Sequence, residues 1–270
     1  MLMPERHDQI LEILNDKRTV TVAELSDMLG VTAVTIRSDL NQLAGQGRII
    51  RTHGGATLAG ERARQEYTFA TRQKLHAEQK RAIGELASVL INPVESILLD
   101  ASTTALAVGQ AIRRNPNLTD LTIVATGVWT ALELLGTPGL NIILPGGNLR
   151  NTTGSITGFI AHETLEKINL QKAFLGAWGI SLAAGLTDTN LQEVELKRAV
   201  IKRCQEVVAV LDGHKFGQMG LASFAALDEI SCIVTDDSAP PDMIEALRQQ
   251  GIEVMVAEVN GRDNGRLLSE

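Results

Sequence analysis

Residues 21–56 hold a capped helix, a tight turn, a second capped helix and then a basic strand pair. Thr21, with Glu24 three residues later, forms a capping box that predicts the first helix start. Gly30 predicts the end of this helix, because glycine adopts the left-handed conformation that closes a helix. Thr32 supplies a cap for the second helix. This order of elements restricts the segment to a helix-turn-helix followed by a wing.

The second predicted helix has an apolar face and an opposite, mainly polar face. Three apolar residues recur at i, i+4 and i+7 and therefore face one core, namely Ile36, Leu40 and Leu43. The opposite face carries Val34, Arg37, Ser38 and Asn41. Such a face suits a DNA groove, where Arg37 would donate to guanine or phosphate and Val34 would touch a thymine methyl. The sequence therefore predicts double-stranded DNA as a partner.

Positive charge is concentrated on this segment, although the chain as a whole is acidic. Residues 33–57 carry Arg37, Arg48 and Arg51 against a single aspartate, whereas the whole chain has a net charge of −7. A negative overall charge suppresses indiscriminate binding to polyanions, so DNA affinity should depend on a small set of specific contacts. A winged helix that binds protein is the alternative, but such modules seldom keep a basic wing.

Composition limits the remaining possibilities. With 44% hydrophobic residues, a chain of 270 residues can build one small and one medium domain. Aromatic residues make up only 3%, which disfavours a single-strand binder that stacks bases. Cys204 and Cys232 are far apart and the five histidines are scattered, so we expect no metal site and no cofactor. Without a secretory leader or an apolar run of about 18 residues, the chain is expected to be cytoplasmic, with no membrane partner.

The second part of the chain alternates short apolar runs with helix patterns. The seven strand candidates are residues 97–99, 121–124, 140–144, 172–175, 207–211, 231–234 and 252–256. Such alternation predicts an α/β fold class, with a mainly parallel sheet covered on both faces. Ligands of such sheets bind beyond the carboxyl ends of the strands.

These patterns also predict the domain boundaries. The winged helix-turn-helix is expected to cover residues 1–57, and a linker with the start of a connecting helix covers 58–78. The linker composition, which is polar and charged, extends to about Lys74. The α/β domain then covers residues 79–258, and the polar, glycine-containing residues 259–270 are expected to form a disordered tail.

The first predicted strand of the α/β domain leads into a cluster of hydroxyl groups. Asp100 is followed, after one alanine, by Ser102, Thr103 and Thr104, and a helix pattern begins near Ala105. Hydroxyl groups and unpaired backbone amides at a helix N-terminus suit a phosphate. The alternative is that Ser102 or Thr103 only caps the helix, and the sequence leaves both interpretations open.

Three other positions in this domain have two interpretations each. Gly146 and Gly147 follow the third strand, where glycines either let backbone amides approach a ligand or serve a tight turn. Lys215 follows the strand that ends at Leu211, and it either neutralises a phosphate or is a solvated loop lysine. Glu193 stands in the first turn of a predicted helix, where it either binds sugar hydroxyls or favours the helix dipole. Several such motifs in one domain favour a phosphorylated sugar as the ligand.

The helix and the wing resemble the signature of the DeoR family of bacterial transcriptional regulators, over residues 35–40 and 51–56. The family pattern has Ser where this chain has Thr32, which keeps the capping hydroxyl, and a second Arg where it has Ser38, which removes a charged donor. Together with the exposed face described above, the resemblance implies DNA contacts by Thr32, Val34, Thr35, Arg37, Ser38, Asn41, Arg48, Arg51 and His53.

The resemblance extends through the second half of the chain. Residues 100–104, 193–197 and 212–216 look like motifs of the family's sensor domain, as do Thr126, Gly146, Gly147 and Gly176. That domain is similar in fold to ribose-5-phosphate isomerase, and in this family it senses phosphorylated sugars or related metabolites. The effector-binding residues expected on this basis are Asp100, Ser102, Thr103, Thr104, Thr126, Gly146, Gly147, Trp178, Glu193, Lys197 and Lys215.

Two positions depart from the family pattern in this half. Gly127 stands where the family commonly has Asn, and Trp178 stands where it more often has a small or acidic residue. We expect Trp178 to fill part of the pocket or to stack on a sugar, so the effector need not be one of the common ones.

The combined prediction is a repressor whose affinity for a double-stranded DNA operator is controlled by a phosphorylated sugar. Helices that read grooves usually act in pairs on repeated half-sites, so we expect a homo-oligomer, either a dimer or a tetramer. An isomerase-like enzyme with an appended DNA-binding module is the alternative, since Asp100, Glu193 and Lys215 are capable of acid-base chemistry. It is disfavoured because a sensor must bind and release its ligand unchanged.

Overall fold

The computed structural model describes residues 3–17, 19–45, 48–52, 54–58 and 68–259. The chain forms two compact units, Met1–Tyr67 and Thr68–Glu270. The expected disordered tail lies outside the described residues except for its first position, and so do residues 59–67 of the expected linker.

The first unit is a winged helix-turn-helix, as the sequence predicts. Its elements are α1 (Met3–Lys17), β1 (Thr19–Thr21), α2 (Val22–Leu29), α3 (Ala33–Gly45), β2 (Ile49–Arg51) and β3 (Gly55–Leu58). The strands form an antiparallel sheet in the order β1-β3-β2. Its core is a single apolar cluster to which α1, α2, α3 and the sheet all contribute.

Local signals of the sequence account for the two helices of the motif. The capping box of Thr21 and Glu24 is present at the start of α2, and Gly30 closes this helix with φ 63°. Ile36, Leu40 and Leu43 are fully buried, which confirms the predicted inner face of α3. The turn between the helices therefore fixes α3 with its opposite face outward.

The second unit is an α/β domain. Its helices are α4 (Phe69–Lys74), α5 (Ala77–Ser88), α6 (Thr103–Arg114), α7 (Val128–Leu134), α8 (Phe159–Leu165), α9 (Leu191–Ile201) and α10 (Pro241–Gln249), with 3₁₀ turns at Gly213–Lys215 and Leu227–Glu229. Its strands are β4 (Ser96–Leu99), β5 (Leu121–Ala125), β6 (Leu140–Ile143), β7 (Asn148–Leu149), β8 (Ile156–Thr157), β9 (Leu170–Leu175), β10 (Gly179–Ser181), β11 (Gly185–Asp188), β12 (Cys204–Val210), β13 (Ala222–Ala225), β14 (Cys232–Asp236) and β15 (Glu253–Ala257).

The seven apolar runs of the sequence form one parallel sheet, in the order β15-β14-β12-β9-β4-β5-β6. Successive residues of a strand enter different apolar clusters: Leu98 joins one, whereas Ile97 and Leu99 join the other. The two clusters cover the two faces of the sheet, so both faces are buried. The predicted α/β fold class is confirmed.

The order of the strands reverses between β4 and β9. From β4 the sheet grows through β5 to β6 on one side, and from β9 it grows through β12 and β14 to β15 on the other. The connections that follow β4 and β9 therefore run in opposite directions, which opens a crevice at the carboxyl ends of these two strands. Asp100 directly follows β4, and Gly176 directly follows β9.

The sequence did not predict two smaller sheets and one helix. β10, β11 and β13 form an antiparallel sheet, and β7 and β8 form a hairpin. The expectation of a linker up to Lys74 was wrong, because residues 69–74 are helix α4. Thr68 caps this helix, and the buried Phe69 stacks on Trp129 with 5.7 Å between ring centroids. Over the residues that the structure describes, no helix has both the length and the apolar character needed to span a membrane.

Candidate functional site

The outer face of α3 is open to solvent. Val34 is 72% exposed, and Arg37, Ser38 and Asn41 are exposed as well. At the start of the helix, the Thr32 hydroxyl accepts a hydrogen bond from the Thr35 amide at 3.3 Å. The side chains of this face that the sequence assigned to DNA contact therefore project away from the core of the first unit.

An ion pair holds the inner side of α3 against α1. Asp39 is 2% exposed, and it binds Arg6 Nε at 2.6 Å and His7 Nε2 at 3.1 Å. Arg6 also donates from Nη2 at 3.0 Å, so the guanidinium contacts both carboxylate oxygens. This pairing of Asp39 was not predictable from the sequence, because both partners lie more than 30 residues away along the chain.

The wing contains the remaining residues assigned to DNA contact. Arg51 Nη1 donates to the Gly55 carbonyl oxygen at 3.0 Å, so this guanidinium closes the turn between β2 and β3. A Cβ atom on Gly55 would lie 2.1 Å from the Val20 carbonyl oxygen, which restricts this position to glycine. Arg48 is half-buried in front of β2, and His53 lies outside the described residues.

In the second unit, Asp100 is at the crevice between β4 and β9. Its carboxylate is 2% exposed, and it accepts hydrogen bonds from the amides of Ser102 and Gly176, each at 2.9 Å. The same carboxylate lies 3.3 Å from Lys197 Nζ. A Cβ atom on Gly176 would lie 2.5 Å from Ser102 Cβ, so only glycine allows the two strand ends to approach this closely. Asp100 thus joins both sides of the crevice.

Lys197 is the centre of a buried charge network. Its Nζ donates to Asp188 at 2.8 Å and to the Gly176 carbonyl oxygen at 2.8 Å, and it faces Asp100. Burial opposes the charged form, but Asp188, Asp100 and Glu193 outweigh it and raise the pKa of Lys197 above its ordinary value. Lys197 also lowers the pKa of Asp188 against the effect of burial. Both partners are therefore ionised at neutral pH.

The hydroxyl cluster after β4 forms the first turn of α6. Ser102 Oγ caps the helix by accepting a hydrogen bond from the Ala105 amide at 3.0 Å. Thr103 and Thr104 are buried, with 7% and 6% of their surfaces exposed. The first amides of a helix have no partner within the helix, so the positive end of the α6 dipole points at the crevice. Both interpretations of Ser102 remain compatible, since a capped helix can still bind an anion through its other amides.

Glu193 is the centre of a second polar group, one turn before Lys197 on α9. Arg150 Nη1 donates to Glu193 Oε1 at 2.8 Å, and the Ser155 hydroxyl donates to the same oxygen. Thr126 is buried, and its carbonyl oxygen accepts from the Ile156 amide at 2.8 Å. The loop after β5 and the β7–β8 hairpin therefore meet α9 at this point.

Two glycines permit close approaches around this group. Gly147 has φ 146°, and a Cβ atom there would lie 2.5 Å from the Thr157 carbonyl oxygen. A Cβ atom added at Gly127 would lie 2.8 Å from Ala101 Cα, in the segment that leads to Ser102. Gly146 is exposed and lies next to Ile160. At Gly127, the asparagine common in the family would not fit this backbone.

Lys215 lies beside Trp178. The Lys215 ammonium is 5.6 Å from the centre of the Trp178 ring, which is a cation-π contact. The Trp178 amide donates to the Thr187 carbonyl oxygen at 2.9 Å, so Trp178 is next to the strand that carries Asp188. Lys215 is half-buried at the end of the 3₁₀ turn that follows β12.

The turn that carries Lys215 also brings together three groups able to bind a metal ion. One ligand atom each from His76, Asp212 and His214 lies within 4.8 Å of the others. The two imidazole rings stack with 3.8 Å between centroids and 20° between planes. No metal site was expected from the sequence, in which 138 positions separate the two histidines.

The structure thus brings most of the predicted effector residues to one edge of the parallel sheet, in two polar groups on α9 and a third around Lys215. Asp188, Arg150 and Ser155, which pair with Lys197 and Glu193, were not predicted from the sequence. One signal was available: Lys197 and Glu193 are four residues apart on a helix, so they share a face that required buried partners.

Both units are similar to known protein domains. Residues 6–62 match the DeoR-like helix-turn-helix domain, and residues 75–237 match the DeoR C terminal sensor domain.

Two curated relatives match over nearly their whole length. The HTH-type transcriptional regulator GolR of Listeria innocua is 34% identical, with 94% of this chain and 98% of that protein covered. The glycerol-3-phosphate regulon repressor of Escherichia coli is 30% identical, with 94% and 99% covered. Among solved structures, ribose 5 phosphate isomerase A from Neisseria gonorrhoeae is similar at a TM-score of 0.38 and 15% identity, over 51% of this chain and 52% of that chain.

Proposed function

We propose that this chain, which belongs to the DeoR family of transcriptional regulators, is a repressor that leaves its operator when a phosphorylated sugar binds. It is a DNA-binding regulator and not an enzyme. The proteins to which it is similar over nearly its full length are likewise regulators. The observation that carries the DNA-binding role is the exposed outer face of α3, on a helix whose inner face is fully buried.

The proposed DNA contact set has two kinds of residue. Val34, Arg37, Ser38 and Asn41 are available to base edges, because they extend from a rigid helix into solvent. Thr32 and Thr35 lie at the start of α3, where the helix N-terminus favours a phosphate of the DNA backbone. Arg48 and Arg51 add positive charge in the wing. In this proposal Arg51 acts on DNA partly by holding the turn that its guanidinium closes.

The proposed effector site is the crevice at the carboxyl ends of β4 and β9. Phosphate would bind at the start of α6, near Ser102, Thr103 and Thr104, with Lys215 as the balancing cation. Asp100 and Lys197 already bind each other and the backbone on both sides of the crevice, so their role in this proposal is to fix its shape. Trp178 lies beside Lys215, so it would close the site next to the phosphate, either by filling part of the pocket or by stacking on the sugar ring.

The remaining residues of the proposed site frame the sugar. Glu193, oriented by Arg150, would accept hydrogen bonds from sugar hydroxyls. Gly146 and Gly147 would offer backbone groups at the end of β6. Thr126 would offer its hydroxyl, because its amide and carbonyl oxygen are already bonded to Leu99 and Ile156. The name of the relative that is a glycerol-3-phosphate regulon repressor supports a phosphate ester as the effector class.

We also infer that the protein is a homo-oligomer. Phe159 is 79% exposed at the start of α8, beside Ile160, which is 58% exposed. Leu149, on the hairpin just before α8 in the chain, is 54% exposed. Exposed apolar side chains in such a group are typical of a protein interface. Sedimentation at micromolar concentration should give a dimer or tetramer, and a monomer with or without DNA would contradict the inference.

The function is tested by selecting duplexes from a random pool with the purified protein and then titrating the selected site in the presence of phosphorylated sugars. We expect specific binding that one phosphate ester abolishes, while the corresponding unphosphorylated sugar has no effect. Selection of no duplex sequence would contradict the DNA-binding role. Selection of a duplex that no phosphate ester releases would contradict only the effector. Incubation with the effector should return it unchanged.

A further inference from the structure

A cluster of three metal-ligating side chains lies at the end of β12, outside the crevice between β4 and β9. His76 comes from the connection between α4 and α5, and Asp212 and His214 come from the turn after β12. Two distant segments of the chain thus contribute to one group, whose ligand atoms all lie within 4.8 Å of one another.

The backbone holds each member of the cluster in position. His76 adopts φ 52°, a conformation uncommon for residues other than glycine, and its side chain does not cap α5 although it stands at the cap position. It stacks on His214 instead. The Asp212 carboxylate is fixed because it accepts a hydrogen bond from the His214 amide at 3.2 Å, and only 1% of Asp212 is exposed.

We propose that His76, Asp212 and His214 bind a divalent transition-metal ion, with Zn²⁺ as the best match. Two imidazole nitrogens and one carboxylate oxygen are a ligand set that Zn²⁺ accepts, and a water molecule would complete its four ligands.

The ring stack shows what binding requires. In two nearly parallel imidazole rings, the nitrogen lone pairs lie in parallel planes and do not converge. The rings must therefore tilt before a nitrogen of each ring can bind the same ion. His214 can tilt, because half of its side chain is exposed. Asp212 also raises the pKa of the His214 imidazole by hydrogen bonding, so the metal competes with a proton on this ring.

Two lysines near the cluster set a limit on its affinity. Lys80 Nζ is held by the carbonyl oxygens of Arg72 and Leu75, and burial lowers its pKa to about 8. Lys215 is the residue after His214. The positive charges of these two lysines repel a metal ion. We therefore expect the metal to bind reversibly and not to fill the site permanently.

A bound ion would have a specific mechanical effect. It would join the α4–α5 connection to the turn that carries Lys215, and so fix the ammonium that the proposed function assigns to the effector phosphate. Metal binding does not depend on that assignment, because none of the three ligands is among the residues assigned to the phosphate. The metal is therefore tested alone, without effector or DNA.

The test uses untagged protein and Co²⁺, whose visible absorption reports its ligands, followed by displacement with Zn²⁺. We expect one Co²⁺ per chain, with the spectrum of nitrogen and oxygen ligands. His76→Asn, Asp212→Asn and His214→Ala should each lower the affinity for either metal at least about tenfold. Asn is chosen for His76 because it tolerates the left-handed backbone. The matched control is His162→Asn, a histidine on α8 paired with Glu166, which should bind as wild type does.

Three results would overturn the proposal. One is the absence of Co²⁺ binding to the wild-type protein, and another is equal loss of binding in the control and in the three cluster variants. The third is the strong near-ultraviolet absorption of a cobalt-thiolate bond, which would move the site to Cys204 or Cys232. Circular dichroism of each variant checks that the fold is intact, and His214→Ala, at a half-exposed side chain, keeps the test valid if another variant fails to fold.

Discussion

The outer face of α3 and the crevice between β4 and β9 differ in how their polar side chains are held. On α3, Arg37 and Asn41 extend into solvent and have no hydrogen-bond partner within the described part of the chain. In the crevice, Asp100, Lys197 and Glu193 are buried and bonded to other protein groups. The first surface is open to a partner, whereas the second is organised by contacts within the protein. Substitutions of these three buried residues should therefore affect folding, and those on the outer face of α3 should affect binding alone.

The largest expected effect comes from Lys197→Met. Removing the ammonium leaves Asp100 and Asp188 buried without their cation, so we expect the free energy of unfolding of the second unit to fall by about 3–5 kcal/mol. Chemical denaturation followed by circular dichroism measures it. Lys202→Met, at the exposed end of the same helix, is the control and should change little. A stable Lys197→Met protein would mean that the network is not a requirement of the fold.

Lys215→Ala should weaken the effector and leave the fold and the operator affinity unchanged. We expect a loss of about 1.5–3 kcal/mol in effector binding, the usual range for a hydrogen bond to a charged group. Paired titrations measure it, first with operator DNA and then with the effector found by screening. If the variant still releases DNA at the wild-type effector concentration, Lys215 is a loop lysine and the phosphate is bound elsewhere.

Arg37→Ala should affect operator binding without affecting stability. A bidentate arginine contact to a base contributes about 1–3 kcal/mol of discrimination, and the side chain lies opposite the buried Ile36, Leu40 and Leu43. Fluorescence anisotropy with the selected duplex measures the change. Arg81→Ala, an exposed arginine of α5 in the second unit, is the matched control. Unchanged affinity in a folded Arg37→Ala protein would remove this residue from the contact set.

Ser38→Arg should have the smallest effect, in the opposite direction. It restores the arginine that the family pattern has at this position, so one more phosphate would be neutralised. In a plot of the logarithm of the affinity against the logarithm of the salt concentration, the negative slope should steepen by about 0.9. An unchanged slope would show that position 38 does not face the DNA backbone. The control is Ser38→Gln, which is also long but has no charge.

The two surfaces also differ in how far the sequence could predict them. Thr21, Glu24 and Gly30 act on neighbours within a few residues, so local patterns were sufficient to place α2 and α3. The crevice depends on pairs such as Arg150 with Glu193, which are 43 residues apart, and no periodicity indicates such a pair. Its strand ends were predictable because apolar runs define the parallel sheet. β11, which carries Asp188, is four residues long and belongs to a small sheet without a clear pattern.

The ion pair of Asp39 with Arg6 and His7 has a consequence for engineering the protein. It fixes the inner side of α3 to α1 through residues that do not take part in the proposed DNA contacts. The four outer positions, 34, 37, 38 and 41, can therefore be exchanged as a set for those of another regulator while the attachment of the helix is kept. A chimera made in this way should acquire the donor's operator preference and keep its own response to effector.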